Sequence, residues 1–299
     1  MAEFLKFNLG QKFCAVSHLA CGRAKFLPLL LGACLAAGAA EGGHDGSGLT
    51  ERGGQLARFD QTERRVSTAC DGQAANRKKD VVMKKIIAKH IDATKMPAEL
   101  SDIPARLDAE GVAYNAIGCN NWPEAFPYTP KVEVRVAHTG DAIVLHYRVE
   151  ESTVQAEAGD NGKVWEDSCC EFFSIPAGDG VYYNIECNCA GQMLIGGAER
   201  KNRERAAKEV LDTVKRWSSL GREPFAEKAA PASWQMVMVI PASAFFKHHI
   251  GCFTGKTIRA NFYKCGDRLK QQHYLSWNPI DLPRPNFHCP EFFGELTFE

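Results

Sequence analysis

Ser168-Cys169-Cys170-Glu171-Phe172-Phe173-Ser174-Ile175 runs to Gly178-Asp179-Gly180, and Val181-Tyr182-Tyr183-Asn184-Ile185-Glu186-Cys187-Asn188-Cys189 runs back. Two alternating arms around a Gly-Asp-Gly turn predict a β-hairpin, because side chains on a strand point to opposite faces in turn. On the return arm Tyr183, Ile185, Cys187 and Cys189 share one face and suit a core. Tyr182, Asn184, Glu186 and Asn188 share the other, a row of hydrogen-bonding groups.

The same period extends in both directions. Val132, Val134 and Val136 alternate with Glu133 and Arg135, and Ile143, Leu145, Tyr147 and Val149 follow a Gly140-Asp141 turn, which predicts a second hairpin. Trp234 to Ile240 is an apolar strand stopped by Pro241. From Thr257 to Lys264, Ile258, Ala260 and Phe262 face one way and Arg259, Asn261 and Tyr263 the other. Glu295 to Glu299 closes the chain. The expected helix is Glu204 to Trp217, where Val210, Val214 and Trp217 fall at helical spacing, although an extended excursion is also open. Many short strands with turns predict an all-β antiparallel sandwich, of jelly-roll or immunoglobulin-like type.

The first 82 residues read differently. Phe26–Ala40 is an apolar run behind Arg23 and Lys25, shorter than a membrane span and ending in small residues like a signal-peptide core. Glu41 to Val82 is rich in Gly, Arg, Asp, Gln and Ala without periodicity, so 1–82 is expected to be a leader or disordered extension and 83–299 the folded domain. If Met83 is the functional start the protein is expected to be cytoplasmic. If Phe26–Ala40 is a signal peptide it is secreted or periplasmic. From Met83 onward there are Cys119, Cys169, Cys170, Cys187, Cys189, Cys252, Cys265 and Cys289. Several lie among apolar strand neighbours, which suits free thiols in a reducing compartment and favours the first alternative. With no CxxC and no HExxH, the spacing supports no zinc site. The 36 basic and 36 acidic residues cancel and leave no basic stripe, which argues against nucleic acid.

Five stretches carry a resemblance: Val164-Trp165-Glu166-Asp167-Ser168-Cys169-Cys170-Glu171-Phe172-Phe173, Tyr182 to Gly191, Asn261-Phe262-Tyr263-Lys264-Cys265-Gly266-Asp267, Ser276-Trp277-Asn278-Pro279 and Phe287-His288-Cys289-Pro290-Glu291-Phe292-Phe293-Gly294. Together they resemble carbohydrate-binding module family 9 in its stand-alone bacterial, DOMON-related form, over about Ile117 to Glu299. The resemblance implies a non-catalytic module that recognises sugar ends or short glycans in polysaccharide breakdown. It also implies a monomer with a carbohydrate ligand and no membrane partner. Structural calcium, present in some relatives, stays open, since no compact acidic loop calls for it.

Sugars lay their C–H faces on aromatic rings and need planar polar partners for their hydroxyls. The resemblance makes Trp165 and Trp277 two platforms around one shallow pocket, with Glu171 as a hydroxyl ligand and Asn184 at the floor. The alternative for each tryptophan is a place in the core. Glu186, Arg259, Asn261 and Tyr263 join the candidate ligands as members of polar strand faces, and they could equally satisfy one another. Trp122 is expected to pack at the edge of the sandwich. His288 has no nucleophile beside it and is expected to fix the closing loop by hydrogen bonding. Asp167, Glu171 and Glu186 form no signature of a glycosidase pair, and no nucleotide-binding or hydrolase glycine motif is present. A DOMON-like protein-interaction sandwich, a minor role beside glycoside hydrolases and a remnant module without a ligand are open as well, and a DOMON-like haem site is the other class of function. It would need an axial ligand from Met193, Met236, Met238 or His273 in the pocket.

Overall fold

A computed structural model describes residues 83–199 and 202–299. The expectations for the leader, including the Phe26–Ala40 run, lie outside the described residues.

Nine strands carry the fold: β1 (Lys85–His90), β2 (Lys131–His138), β3 (Ala142–Glu150), β4 (Cys169–Ile175), β5 (Tyr182–Asn188), β6 (Met193–Ala198), β7 (Trp234–Pro241), β8 (Thr257–Cys265) and β9 (Gly294–Phe298). Both predicted hairpins form, β2 with β3 and β4 with β5. The ladder runs β6-β5-β4-β8-β9-β1-β2-β3-β7, with Glu204–Arg205 added at one edge and Lys215–Ser218 at the other. It folds over at β1, whose residues 85–88 pair with β9 and whose Lys89 and His90 pair with β2. Both β1 pairings are parallel, an exception to the antiparallel expectation.

The two halves press their apolar faces together. Val132, Val134, Leu145, Tyr147 and Met238 come from one half and Phe172, Ile185, Cys187, Ala260 and Phe262 from the other, all buried in one cluster. The alternation in the sequence sets eight of these on shared strand faces, and for Phe172 and Met238 it predicts a strand without assigning a face.

The helical expectation for 204–217 needs correction. Only Lys208–Thr213 is helical. Glu204 and Arg205 pair with Gly197 and Gly196, and Lys215–Ser218 pair with β7, so both ends are drawn into sheet edges. A six-residue helix has too few internal bonds to resist that capture. A helix that the sequence reading missed, Ile103–Ala109 with a proline in its first turn, buries Ile103 and Leu107 against Ala137, Val144 and Val237 on the outer face of β2, β3 and β7. Among the described residues no helix is long and apolar enough to cross a membrane.

Beneath that helix sits a buried polar knot. Arg135 reaches Asp108 and donates to the Pro104 carbonyl at 3.0 Å, and its Nε donates to His146 Nδ1 at 3.1 Å. His146 Nε2 lies 2.9 Å from Gln235 Oε1 and donates to it, so the ring is neutral, with its proton on Nε2. Burial, and then the Arg135 charge, hold His146 down to about 4. In the unfolded chain it takes its proton near 6.5, so between about pH 6.5 and 4 the unfolded state binds the extra proton. Stability from this site is therefore complete above about pH 6.5 and falls as the pH drops toward 4, by about 3 kcal/mol in total. Urea unfolding across that range measures the loss. An NMR titration of the native protein in which His146 protonates near 6.5 would contradict it.

Candidate functional site

The face of β4, β5 and β6 turned away from the main core carries the polar row predicted from the sequence. It forms the floor of a cavity of about 500 Å³. Glu171 and Phe173 come from β4, Asn184 and Glu186 from β5, Gly196 from β6 and Cys265 from the end of β8. The walls come from Trp165, from Arg203 and Arg205 after β6, from Asp267 and Tyr274 after β8, and from Pro285 to His288 before β9.

Each wall is tied down. Asp167 is buried and accepts from the backbone N–H groups of Glu157 (3.0 Å) and Ala158 (2.9 Å), from Gln155 and from Asn188. The turn bearing Trp165 is thereby pinned to β5, and Asp167 is unavailable to a ligand. The Trp165 carbonyl also accepts from the Asp267 N–H, which joins this wall to the loop after β8. On the far side Phe287 stacks on Tyr263 with ring centroids 4.2 Å apart. The Tyr182 hydroxyl lies 3.0 Å from His288 Nδ1. His288 therefore fixes the closing loop, as expected, and also lines the cavity. Trp122, a buried member of the apolar cluster under this wall, donates from Nε1 to the Leu282 carbonyl at 2.7 Å.

The floor is a graded set of charges. Arg203 lies 3.8 Å from the centre of the Tyr182 ring, donates to the Tyr182 and Gly196 carbonyls at 3.1 Å, and grips Asn184 Oδ1. Asn184 Nδ2 then donates to Glu186 Oε1 at 2.7 Å. Glycine at 196 makes this possible, because a Cβ there would collide with the Asn184 amide. The second oxygen of Glu186 is buried with no partner among the described residues. Glu171, directly across the ladder from Glu186, accepts from the Cys265 thiol at 3.0 Å. Burial, and then the neighbouring Glu186, push Glu171 well above the usual carboxylate range. Burial lifts Glu186 to about 7 and Asp267 to about 6.

Four sequence-derived candidates, Trp165, Glu171, Asn184 and Glu186, meet at this cavity. The other four do not reach it. Trp277 is 3 % exposed, sits in the main core, and meets Phe262 edge to face at 5.7 Å, so the two tryptophans do not flank one pocket. The reason is register. Tyr263 pairs with Ser276, which sets Trp277 opposite Phe262 and turns it to the core face. Arg259 is spent on the Phe293 carbonyl. Asn261 accepts from the Asn278 N–H at 2.8 Å and donates to the Asn278 carbonyl. Tyr263 is buried beneath Phe287 and props the wall without lining it. The candidate axial ligands for haem also lie elsewhere: Met193, Met236 and Met238 are in the main core, and His273 is buried beside Lys264.

Sequence reasoning missed Arg203, Arg205, Asp267, Tyr274 and Phe287. Asp267 and Phe287 lie within the stretches that carry the family resemblance. Nothing in the pattern around Arg203 marks it.

The family model described as carbohydrate-binding family 9 matches residues 101–298. A crystal structure from Bacteroides uniformis ATCC 8492, described as a candidate carbohydrate-binding protein, is 52% identical to this chain. Its TM-score is 0.70, with 73% of this chain and 100% of that chain covered. Two structures of a carbohydrate binding module family 9 from Caldicellulosiruptor kristjanssonii, in complex with glucose and with cellotriose, are 13% and 12% identical, with TM-scores of 0.45 and 0.46. They cover 72% of this chain and 96% and 94% of their own. No curated protein matches.

Proposed function

Because this chain belongs to carbohydrate-binding family 9, we propose that the cavity above β4, β5 and β6 holds the end of a sugar chain or a short glycan, without cleaving it, in the service of polysaccharide breakdown. The observation that carries the reading is the unpartnered Glu186 oxygen at the floor of a cavity walled by Trp165 on one loop and Tyr274 and Phe287 on others. A sugar hydroxyl donating to that oxygen relieves a buried, unsatisfied acceptor, a defect that costs about 1–3 kcal/mol while it lasts. Trp165 supplies the apolar face, and Asn184, Glu171 and Asp267 take further hydroxyls. The volume has room for about one or two sugar rings. Arg203 acts through Asn184, whose amide it orients.

The arrangement favours binding over hydrolysis. A glycosidase sets two carboxyls on either side of the scissile bond. Glu171 and Glu186 instead stand side by side on one sheet, and Asp167 is consumed by backbone donors.

Calorimetric titration with mono- and oligosaccharides tests the reading. Trp165→Ala is expected to weaken binding by about 1–3 kcal/mol through lost ring contact, with unfolding little changed because that ring is only half-buried. Glu186→Ala is expected to weaken it by a similar amount. A sugar that binds equally well to wild type and to both variants would place the site elsewhere.

A further inference from the structure

On β4 and β8, pairing sets Cys265 directly opposite Cys169. Glu171 is two residues further along β4 and so projects from the same face. The two sulfurs and a Glu171 oxygen lie within 4.8 Å of one another, and all three residues are buried. In a tetrahedral zinc shell, with Zn–S near 2.3 Å and Zn–O near 2.1 Å, neighbouring donors stand roughly 3.5–4 Å apart. A small contraction would close this group around an ion. Its present bonds are weak or exchangeable: the Cys265 thiol donates to Glu171 and lies 3.5 Å from the Trp165 carbonyl, and the Cys169 thiol meets that of Cys265 and lies 3.8 Å from the Cys170 carbonyl. Glu171 and Cys265 line the cavity, which supplies an entry path. The neighbouring thiols of Cys170 and Cys187 lie in the main core, away from the cavity.

We infer that the floor of the cavity is a binding site for a thiophilic divalent cation of the zinc and cadmium class, ligated by Cys169, Cys265 and Glu171, with a water completing the shell. Two sulfurs among three donors select such an ion over calcium, which takes six to eight oxygens. Binding displaces the two thiol protons and the Glu171 carboxyl proton to solvent and sets two thiolates and a carboxylate against the ion's double charge, with no change of oxidation state.

The test uses the reduced full-length protein freed of metal by a chelator. Titration with cadmium, read by sulfur-to-cadmium ultraviolet absorption, is expected to saturate at about one equivalent. The band is expected to be lost in Cys169→Ser and in Cys265→Ser, and kept in Cys252→Ser and Cys119→Ser. X-ray absorption of the zinc-loaded wild type is expected to show two sulfurs near 2.3 Å, and decides the matter even if a serine variant fails to fold. No band at one equivalent, a band that survives in both site variants, or a zinc shell of nitrogen and oxygen alone would overturn the assignment.

Discussion

Lys264→Met is expected to lower the unfolding free energy by about 3–5 kcal/mol, because it leaves a buried carboxylate without its counter-charge. Lys264 and Glu151 are both fully buried, with Nζ 2.9 Å from Oε2. Besides this ion pair, the ammonium donates to the Cys265 carbonyl at 2.9 Å and to His273 Nε2 at 2.7 Å. Burial, and then the Lys264 charge, hold His273 neutral, with Nδ1–H donating to the Gln271 carbonyl. Glu151 also accepts from Ser168 and from Trp234 Nε1, so this knot ties β8 to the strands of both sheet halves. Urea denaturation measures the loss. Adding Glu151→Gln to Lys264→Met is expected to recover a good part of it, since the stranded charge is then gone. A single variant within about 1 kcal/mol of wild type would mean that the pair is not what orders this region.

Trp277→Ala is expected to cost about 3–5 kcal/mol of stability through the cavity it leaves. It is also expected to leave the sugar affinity of the folded protein unchanged. The ring fills the core beside Phe262 and lies so close over Gly294 that a Cβ there would strike it. The pattern is the reverse of that expected for Trp165→Ala, which costs affinity and little stability. Denaturation and calorimetry on both variants separate the two tryptophans. A Trp277→Ala protein of full stability and lost sugar affinity would return that ring to the site.

The two tryptophans show how far a sequence reading reaches. Trp165 precedes β4 by a few residues, and the Asp-Ser pair after it lies beside the strand that carries Glu171. Its place was legible because every relation involved is local. Asn184 and Glu186 were legible because alternation alone puts them on the face opposite Ile185 and Cys187. Trp277 was misplaced because its side of the sheet depends on which residue of β8 meets Ser276. A shift of one residue in that pairing would turn it to the other face. Arg259, Asn261 and Tyr263 do share one face, yet the segment before β9 covers that face, and the three spend their polar atoms there.

By itself, then, the sequence determined the sandwich, its two hairpins, the apolar composition of the inward faces and the family, because these follow from side-chain period, turn chemistry and quoted motifs. Only the tertiary structure decided which polar face stays open. It brought Arg203, Asp267 and Phe287 to the rim, set Cys169 across from Cys265, and sank Lys264 onto Glu151. Those contacts join residues from about 20 to more than 100 positions apart. Strand register and loop closure set them, and neither leaves a periodic trace in the chain.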